Sequence, residues 1–243
     1  MFVDTFNNYF GCANAESAKR VLEAGGYTVV SHVLGSGRPL CCGRTFLAAG
    51  MVEQAREEAR RTLDALLPYV HRGVAIVGLE PSCLLTLRDE FLTYRFGEDA
   101  QLLARNALLF EEFLVREKDS GRLSLKLKSL PSSEAILHGH CHQKAFAAFE
   151  AARTVLEWIP GLKTRVVESS CCGMAGAFGY EAKHYDVSMK MAELSLLPAV
   201  RAAAPETLIV ADGFSCRHQI ADGTGRDALH VARVLDLALD RVQ

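Results

Sequence analysis

The sequence predicts an α/β protein made of two similar Rossmann-like βα halves, each built around a small, mostly parallel sheet and related by an approximate two-fold axis. Short β-branched runs alternate with amphipathic stretches of helical length, which is the pattern of βαβ units. The eight cysteines of the 243-residue chain also fall into two sets with matching spacing, which indicates an internal duplication. We expect the halves to span residues 1–130 and 131–243, with the boundary in the polar segment 118–133.

Strands are predicted where short runs are β-branched or apolar and are bounded by turn residues: 2–6, 28–33, 74–79, 135–139, 164–167 and 207–211. Between the second and third runs, residues 45–70 place apolar side chains at helical spacing, with Glu and Arg on the other face. Residues 181–203 repeat that pattern. Strands that alternate with helices of this length predict a parallel sheet.

The composition excludes several classes of partner. Apolar residues make up 49% of the chain and charged residues 23%, which are ordinary values for a soluble globular protein. Lys and Arg number 27 against 29 Asp and Glu, so there is no basic field to hold a nucleic acid or an anionic membrane. No apolar run approaches the roughly 18 residues of a membrane span, and the start lacks the basic region of an export signal. We therefore expect a cytoplasmic protein whose cysteines are ligands or redox groups rather than disulfides.

Both halves carry the same arrangement of cysteines: a single cysteine, then Cys-Cys-Gly after a predicted strand, then a last cysteine after another strand. Corresponding members are separated by 129, 130 and 133 residues, which chance would rarely produce. The first cysteine fits less well, because aligning the first strands of the two halves places Cys141 opposite Asn7 or Asn8 rather than Cys12. The two sets are Cys12, Cys41, Cys42 with Gly43, and Cys83, followed by Cys141, Cys171, Cys172 with Gly173, and Cys216.

The Cys-Cys-Gly turns suggest metal binding. Adjacent cysteines rarely form a disulfide with each other, because the small ring strains the S–S geometry and the peptide. Gly43 and Gly173 permit a positive φ at a sharp turn, and the N–H groups of the following helix stabilise thiolates. A cysteine at another strand's carboxyl end and one from a third loop would complete four thiolates, which suit either Zn²⁺ or an iron–sulfur cluster. The alternative is a set of buried free cysteines that act as small apolar side chains.

Histidines and a glutamate accompany the cysteines along the chain. Three of the histidines alternate around one cysteine of the second set, and the fourth follows the last cysteine by two residues. They either bind a metal or form hydrogen bonds to the thiolates that bind it, and histidines so close to a redox centre can also relay protons. Glu80, at the end of a predicted strand, either binds a metal or caps the following helix. The histidines are His138, His140, His142 and His218.

Five segments carry a resemblance to a known family: LCCGRTFLAAG at 40–50, LEPSC at 79–83, HGHCHQKAF at 138–146, ESSCCGMAGAFGYE at 168–181 and FSCRHQ at 214–219. They resemble the cysteine-rich CCG domain pair of heterodisulfide reductase, of lactate-utilisation iron–sulfur proteins, and of the iron–sulfur subunits of glycolate oxidase and anaerobic glycerol-3-phosphate dehydrogenase. The strongest resemblance is to the C-terminal region of FAD-linked oxidases of the D-lactate or glycolate dehydrogenase type. It covers essentially the whole chain and implies cluster binding and electron transfer.

The sequence departs from the fuller pattern of that family, in which each half ends in Cys-Pro-x-Cys. Glu80 replaces the first of these cysteines in the first half and Gly213 replaces it in the second, which leaves four cysteines per half. The resemblance then implies an ordinary [4Fe–4S] cluster on the second set, Cys141, Cys171, Cys172 and Cys216. The first half is expected to hold a second cluster, Zn²⁺ or no metal on Cys41, Cys42 and Cys83 with Cys12.

The resemblance implies a component of an oxidoreductase. Because the sequence has no flavin-binding segment and no small-ferredoxin cysteine run, FAD and a ferredoxin-type iron–sulfur domain are expected on a partner chain or domain. The chain would relay electrons within a flavin-linked 2-hydroxyacid dehydrogenase of the lactate or glycolate type. The acceptor would be a quinone, a cytochrome or a similar carrier, and the complex could bring the chain to a membrane surface. Two alternatives remain, namely reduction of a disulfide at the cluster, and a zinc-bound or metal-free module that docks a flavoprotein.

Overall fold

The computed structural model describes residues 1–31 and 38–240, which fold as helices packed around two small sheets. Within these two segments, no helix combines the length and the apolar character that crossing a lipid bilayer requires. The helices are α1 (Thr5–Tyr9), α2 (Cys12–Ala24), α3 (Arg44–Ala48), α4 (Val52–Val70), α5 (Pro81–Arg88), α6 (Glu90–Thr93), α7 (Glu98–Asn106), α8 (Phe110–Asp119), α9 (Cys141–Ala145), α10 (Phe149–Glu157), α11 (Tyr185–Glu193), α12 (Leu196–Ala202), α13 (Phe214–Thr224) and α14 (Val231–Ala238).

The strands form two separate parallel sheets. In the first sheet, β1 (Ile76–Gly78) pairs with β2 (Ala107–Leu109). In the second, β3 (Glu134–His138) lies between β4 (Lys163–Val166) and β5 (Leu208–Ala211), and both neighbours run parallel to it. The predicted α/β class with parallel strands is confirmed.

Four of the predicted strands are present. The runs 135–139, 164–167 and 207–211 correspond to β3, β4 and β5, and the run 74–79 contains β1. β2 was not predicted, because its three residues follow α7 directly and are too few to show a strand period.

The strand predicted at the start of the chain is wrong beyond its first residues. Phe2 forms a parallel bridge with Gly78, but the chain then turns into α1. The cause is Asp4, whose carboxylate accepts hydrogen bonds from the backbone N–H groups of Phe6 and Asn7 and so caps the helix. Because an N-cap residue stabilises the start of a helix, the residues after Asp4 form α1 instead of continuing as a strand.

The remaining differences concern one strand and two helices. Residues 28–31 of the predicted strand 28–33 form no strand, and residues 32 and 33 lie outside the described part of the chain. The helix predicted over 45–70 is two helices, α3 and α4, because Gly50 between them has a φ of 75°, which ends a helix. The stretch 181–203 is likewise divided into a 3₁₀ turn, α11 and α12.

The two halves place the same elements at the same positions. Phe2 lies beside β1 through its bridge with Gly78, as the last residue of β3, His138, lies beside β5. A helix begins three residues later in each half, α1 at Thr5 and α9 at Cys141. Thr5 therefore occupies in the first half the position that Cys141 occupies in the second.

The halves share one hydrophobic core. α2 of the first half packs against α14 of the second, and α10 of the second packs against α8 of the first, so each pair takes one helix from each half. Such reciprocal packing is what an approximate two-fold axis between the two halves produces. Side chains from both halves meet in the shared core, among them Val77, Leu79, Phe110, Leu137, Val210 and Val231. The division of the chain between residues 130 and 131 stays a prediction.

Candidate metal centre

The four cysteines of the second half all follow the carboxyl ends of strands. Cys141 is the first residue of α9, which follows β3, and Cys216 is the third residue of α13, which follows β5. Cys171 and Cys172 lie in the loop after β4. Because adjacent parallel strands end at one edge of a sheet, the three connections bring these cysteines together there.

The four thiols form a continuous chain of contacts. Cys171 hydrogen-bonds to Cys141 on one side and to Cys172 on the other, and Cys172 in turn hydrogen-bonds to Cys216. The bond with Cys171 raises the pKa of Cys141, and the bonds with Cys171 and Cys216 raise the pKa of Cys172. The same bonds lower the pKa of Cys171 and the pKa of Cys216. Sulfur atoms that share protons in this way are close enough for one metal site to replace those protons.

One end of this thiol chain is accessible and the other is buried. Cys172 is 4% exposed and Cys216 is 1% exposed. Cys141 and Cys171 are half-buried. A group bound here would be anchored inside the protein on one side and would come close to the surface on the other.

Two glycines make the Cys-Cys-Gly turns possible. Gly173 has a φ of 93°, and a Cβ there would lie 2.2 Å from a backbone carbonyl oxygen of α11. Gly43 has a φ of 79°, and a Cβ there would lie 2.6 Å from a backbone carbonyl oxygen of α4. Their N–H groups donate to the sulfur atoms of Cys171 at 3.3 Å and Cys41 at 3.5 Å. The glycines thus shape each turn and also direct a backbone dipole at a thiol.

In the first half, three cysteines and a threonine meet. Cys42 hydrogen-bonds to Cys41 and Cys83, and the Thr5 hydroxyl hydrogen-bonds to Cys41. The bond with Cys42 and burial raise the pKa of Cys41. The bond with Cys41 lowers the pKa of Cys42, but the bond with Cys83 and burial together outweigh that effect. The net result is a raised pKa for Cys42. The bond with Cys42 lowers the pKa of Cys83, yet burial brings it to about 11. All three thiols thus favour their protonated form in the absence of a cation.

Cys12 lies apart from this group. It is exposed, it is the first residue of α2, and its thiol donates to the backbone carbonyl of Asn8 at 3.0 Å. Thr5, at the start of α1, takes the position that Cys141 holds in the second half. Matching cysteines by their spacing along the chain therefore pairs residues that are not equivalent in the fold.

Glu80 joins the two halves at their cysteine-bearing helices. One carboxylate oxygen accepts from the Ser82 hydroxyl at 2.8 Å and from its N–H at 3.5 Å, which caps α5. The other accepts from the backbone N–H of Phe214 at 2.8 Å, at the first residue of α13. Cys83 and Cys216 are the third residues of those two helices. Burial raises the pKa of this carboxyl, which is 3% exposed.

Gly213 leaves no room for a side chain. A Cβ at this position would lie 2.3 Å from the Cδ2 atom of His140 and 3.1 Å from the sulfur of Cys216. The fifth cysteine of the fuller family pattern therefore cannot be accommodated while His140 keeps its place.

His138 lies against the buried end of the thiol chain. Its Nδ1 is 2.9 Å from the Ser169 hydroxyl, whereas its buried Nε2 makes no hydrogen bond of good geometry among the described residues. The ring contacts the thiol of Cys216. A ring nitrogen of His138 and the sulfur atoms of Cys172 and Cys216 all lie within 4.8 Å of one another.

His140 and His142 lie against the accessible end. Their Nδ1 atoms are 4.0 and 3.7 Å from the sulfur of Cys141, and their rings stack with centroids 5.3 Å apart. The Nδ1 of His140 accepts from the backbone N–H of His142 at 3.1 Å and so caps α9. The proton of the neutral His140 ring must therefore be on Nε2. Burial lowers the pKa of His142 to about 4, which keeps this ring neutral at physiological pH.

His218 belongs to the aromatic rim of the site. Its ring lies 4.1 Å from that of Phe214, and its Nδ1 is 3.0 Å from the hydroxyl of Tyr180. Phe10, from the first half, also packs against Phe214, with ring centroids 5.5 Å apart. Phe10 and Tyr180 are exposed, so aromatic surface lies next to the candidate centre.

The donor atoms that converge here suit a soft metal centre. Thiolate and imidazole donors suit Zn²⁺ and iron–sulfur clusters, whereas Mg²⁺ and Ca²⁺ prefer oxygen. The residues therefore fit an iron–sulfur cluster by donor type. Among the described residues, the groups whose donor atoms lie within 4.8 Å of one another hold only cysteine and histidine: His138 with Cys172 and Cys216, and His140 with Cys141 and His142.

The sequence matches the family of cysteine-rich domains designated CCG over residues 6–88 and 135–221. Each matched segment contains one Cys-Cys-Gly turn, and together they make up more than half of the chain. The protein therefore belongs to the CCG cysteine-rich domain family.

Its relatives include named dehydrogenases. The chain is 28% identical over 216 residues to a subunit of the anaerobic glycerol-3-phosphate dehydrogenase of Escherichia coli (strain K12), a match that covers 86% of this chain and 53% of that protein. It is 28% identical over 225 residues to D-2-hydroxyglutarate dehydrogenase of the same organism, which covers 91% and 21%. With that of Pantoea ananatis the identity is 26% over 234 residues, covering 96% and 22%. The chain thus spans about half of the first relative and about a fifth of the others. No solved structure matches it significantly.

Two residues at these sites were missed from the sequence. Thr5 could have been found by aligning the two halves at their helix caps. Asp4 and His140 each cap a helix, and the next residue is Thr5 in the first half and Cys141 in the second. Ser169, between β4 and the cysteine pair, carried no signal, because its role depends on the ring of His138 across the sheet edge.

Proposed function

We propose that this chain is an electron-transfer module that holds an iron–sulfur cluster on Cys141, Cys171, Cys172 and Cys216. The observation that carries the proposal is the chain of four contacting thiols at one sheet edge. A [4Fe–4S] cluster takes four cysteine thiolates and supplies one-electron oxidation and reduction. Family membership and the absence of carboxylate donors from the ligand groups of the described residues support the same assignment.

The surroundings of the site suit electron exchange with another protein. The half-buried Cys141 and Cys171 bring one side of the proposed cluster close to the surface, while Cys172 and Cys216 hold the other side in the interior. Burial of that side excludes water, and the N–H of Gly173 directed at Cys171 stabilises the negative charge of the thiolate.

We infer that the partner is a flavoprotein with a ferredoxin-type iron–sulfur domain, and that it oxidises a hydroxy compound. The names of the relatives, a glycerol-3-phosphate dehydrogenase subunit and D-2-hydroxyglutarate dehydrogenases, support this class of reaction. A 2-hydroxyacid such as lactate or glycolate is the proposed substrate, and a quinone or a cytochrome is the proposed final acceptor. The whole assembly would work in the cytoplasm or at the inner face of a membrane.

The first half is proposed to bind Zn²⁺ rather than a second cluster. Thr5 replaces the fourth cysteine, so Cys41, Cys42 and Cys83 supply three thiolates where a cubane takes four. Three protein ligands with one remaining position are a known arrangement for Zn²⁺.

Metal analysis of protein purified without oxygen tests these assignments. We expect about four iron and four sulfide per chain, with a brown colour that bleaches on reduction, and about one zinc. Cys172→Ser should remove the iron and the colour, and Cys12→Ser is the matched control that should retain both. Zinc without iron, or a colour that persists in Cys172→Ser, would overturn the cluster assignment.

A further inference from the structure

We propose that His138 binds the metal of the second half directly, through Nε2, as a nitrogen donor beside Cys172 and Cys216; on a [4Fe–4S] cluster held by the four thiolates it would be a fifth protein ligand, so that one iron carries two. This inference rests on the proposed function only in requiring that the second half binds a metal. It holds for a zinc-loaded site as well as for a cluster, which allows the two proposals to be tested separately.

The position of His138 is set by the sheet. His138 ends β3, while Cys172 follows β4 and Cys216 follows β5. Three adjacent strands thus deliver three donor atoms that lie within 4.8 Å of one another. The side chain of His138 is 2% exposed, so the ring points into the interior of the site and away from solvent.

The hydrogen bonds of the ring select the tautomer that can bind a metal. The Ser169 hydroxyl is 2.9 Å from Nδ1 and 3.5 Å from the backbone carbonyl of Val167, which only accepts. If the hydroxyl donates to that carbonyl, it accepts from the N–H at Nδ1 of His138. The proton of the neutral ring is then on Nδ1, and Nε2 presents a lone pair. Histidines that bind metals commonly donate their other N–H to a neighbouring acceptor in this way.

Without a metal, the buried Nε2 of His138 makes no hydrogen bond of good geometry among the described residues. The ring instead contacts the thiol of Cys216, which is one of the proposed ligands. A buried polar atom without a partner is destabilising, and such atoms are rare in folded proteins. A metal held by Cys172 and Cys216 would give this nitrogen its partner.

The neighbouring histidine has the opposite arrangement. The Nδ1 of His140 accepts from the backbone N–H of His142, so its Nε2 carries the proton and can donate to a sulfur atom but not bind a metal. In the first half, Phe2 stands where His138 stands in the second. Nitrogen ligation is thus expected in the second half only. His140 supplies one control, as a neighbouring histidine that should not bind the metal, and Phe2 suggests the other, the substitution His138→Phe.

Imidazole should also affect the electron-transfer properties of the site. A neutral nitrogen donor adds less negative charge than a thiolate, and iron–sulfur centres with histidine ligands have higher reduction potentials than all-cysteine centres. The variant His138→Cys supplies a charged donor at the same place. We expect it to retain the metal but to have a lower reduction potential than the wild type.

The test is pulsed electron paramagnetic resonance on the reduced, iron-loaded protein, prepared with natural and with ¹⁵N-labelled histidine. We expect a strongly coupled histidine nitrogen in the wild type and in His140→Ala, and its loss in both His138→Cys and His138→Phe. Since the wild-type labelling needs no variant, the experiment remains decisive if His138→Phe fails to fold. Absence of the coupled nitrogen in the wild type, or its loss in His140→Ala instead, would overturn the proposal.

Zinc separates this proposal from the cluster assignment. If no iron is incorporated, the cluster assignment fails, and the protein is loaded with Zn²⁺ alone for X-ray absorption at the zinc edge. We then expect a nitrogen ligand at about 2.0 Å in the wild type that is missing from His138→Cys. A shell of sulfur alone in the wild type would refute ligation by His138.

Discussion

The carboxylate of Glu80 accepts a hydrogen bond of 2.8 Å from the backbone N–H of Phe214, 134 residues further along the chain. The same carboxylate caps α5 through Ser82. α5 carries Cys83, and α13, which begins at Phe214, carries Cys216. One buried side chain therefore fixes the starts of both cysteine-bearing helices and ties the two halves together between their thiol groups.

Replacing Glu80 by alanine should destabilise the protein. The N–H of Phe214 and the polar groups of Ser82 would lose their partner inside the protein, and at about 1–3 kcal/mol for each we expect a loss of about 2–4 kcal/mol in the free energy of unfolding. Urea unfolding of the metal-free protein measures this loss. Glu57→Ala, on the exposed face of α4, is the control and should change the free energy by less than about 0.5 kcal/mol. Equal stability of the two variants would contradict the capping role.

The contact of Glu80 also shows where prediction from the sequence ends. The Cys-Cys-Gly turns and the strands β3 and β5 could be predicted, because each depends on residues within about ten positions of one another. The choice between metal ligand and helix cap stayed open for Glu80, since Ser82 is a local partner but Phe214 is not. A hydrogen bond between distant residues leaves no periodic or spacing signal in a single sequence.

Gly213 should tolerate no larger residue while His140 is present. A Cβ at 213 would lie 2.3 Å from the ring of His140, so Gly213→Ala should lower the free energy of unfolding by about 1–3 kcal/mol. Removing the ring in Gly213→Ala/His140→Ala should make the double variant more stable than the sum of the single effects predicts, because the clash is then absent. Chemical denaturation of all four proteins gives the coupling. Additive effects would show that the ring of His140 does not cause the loss.

Glu117 should make stability depend on pH in the acid range. Hydrogen bonds from Arg122, Tyr27 and Arg116 hold the pKa of Glu117 at about 2, below its usual value of 4.5. A pKa lowered by folding stabilises the protein fully above pH 4.5, and this contribution is lost as the pH falls towards 2. Glu117→Gln should therefore lower the free energy of unfolding by about 2 kcal/mol at pH 7. This figure is smaller than the full pKa shift would give, because Arg122 is 59% exposed and water screens its interaction with Glu117.

The measurement for Glu117 is urea unfolding of metal-free wild type and Glu117→Gln from pH 7 to pH 2. We expect the difference between the two proteins to be constant down to about pH 5 and to shrink below it. Taking the difference removes the titration of all other carboxyl groups, which both proteins share. A difference that stays constant down to pH 2 would show that the pKa of Glu117 is not lowered by folding.

Cys12 shows why matching motifs can mislead within a duplicated chain. The spacing of 129 residues to Cys141 resembles that of the other pairs, but the connection before the Cys-Cys-Gly turn has a different length in each half. Equivalent positions are set by strand ends and helix starts, and by that measure Thr5 matches Cys141. The first strand was predicted in the wrong register because the cap at Asp4 was not recognised, and the alignment to Asn7 or Asn8 followed from that error.

Thr5→Cys should therefore convert the first half into a cluster site. The new thiol would lie against Cys41, as Cys141 lies against Cys171, and would complete a set of four with Cys42 and Cys83. On anaerobic reconstitution we expect about four more iron and four more sulfide per chain than in the wild type, with loss of zinc. Asn8→Cys is the matched control, since it adds a thiol at an exposed position of the same helix and should leave the iron content unchanged. An equal gain in both variants would indicate adventitious iron, and no gain in Thr5→Cys would show that the two positions are not equivalent for metal binding.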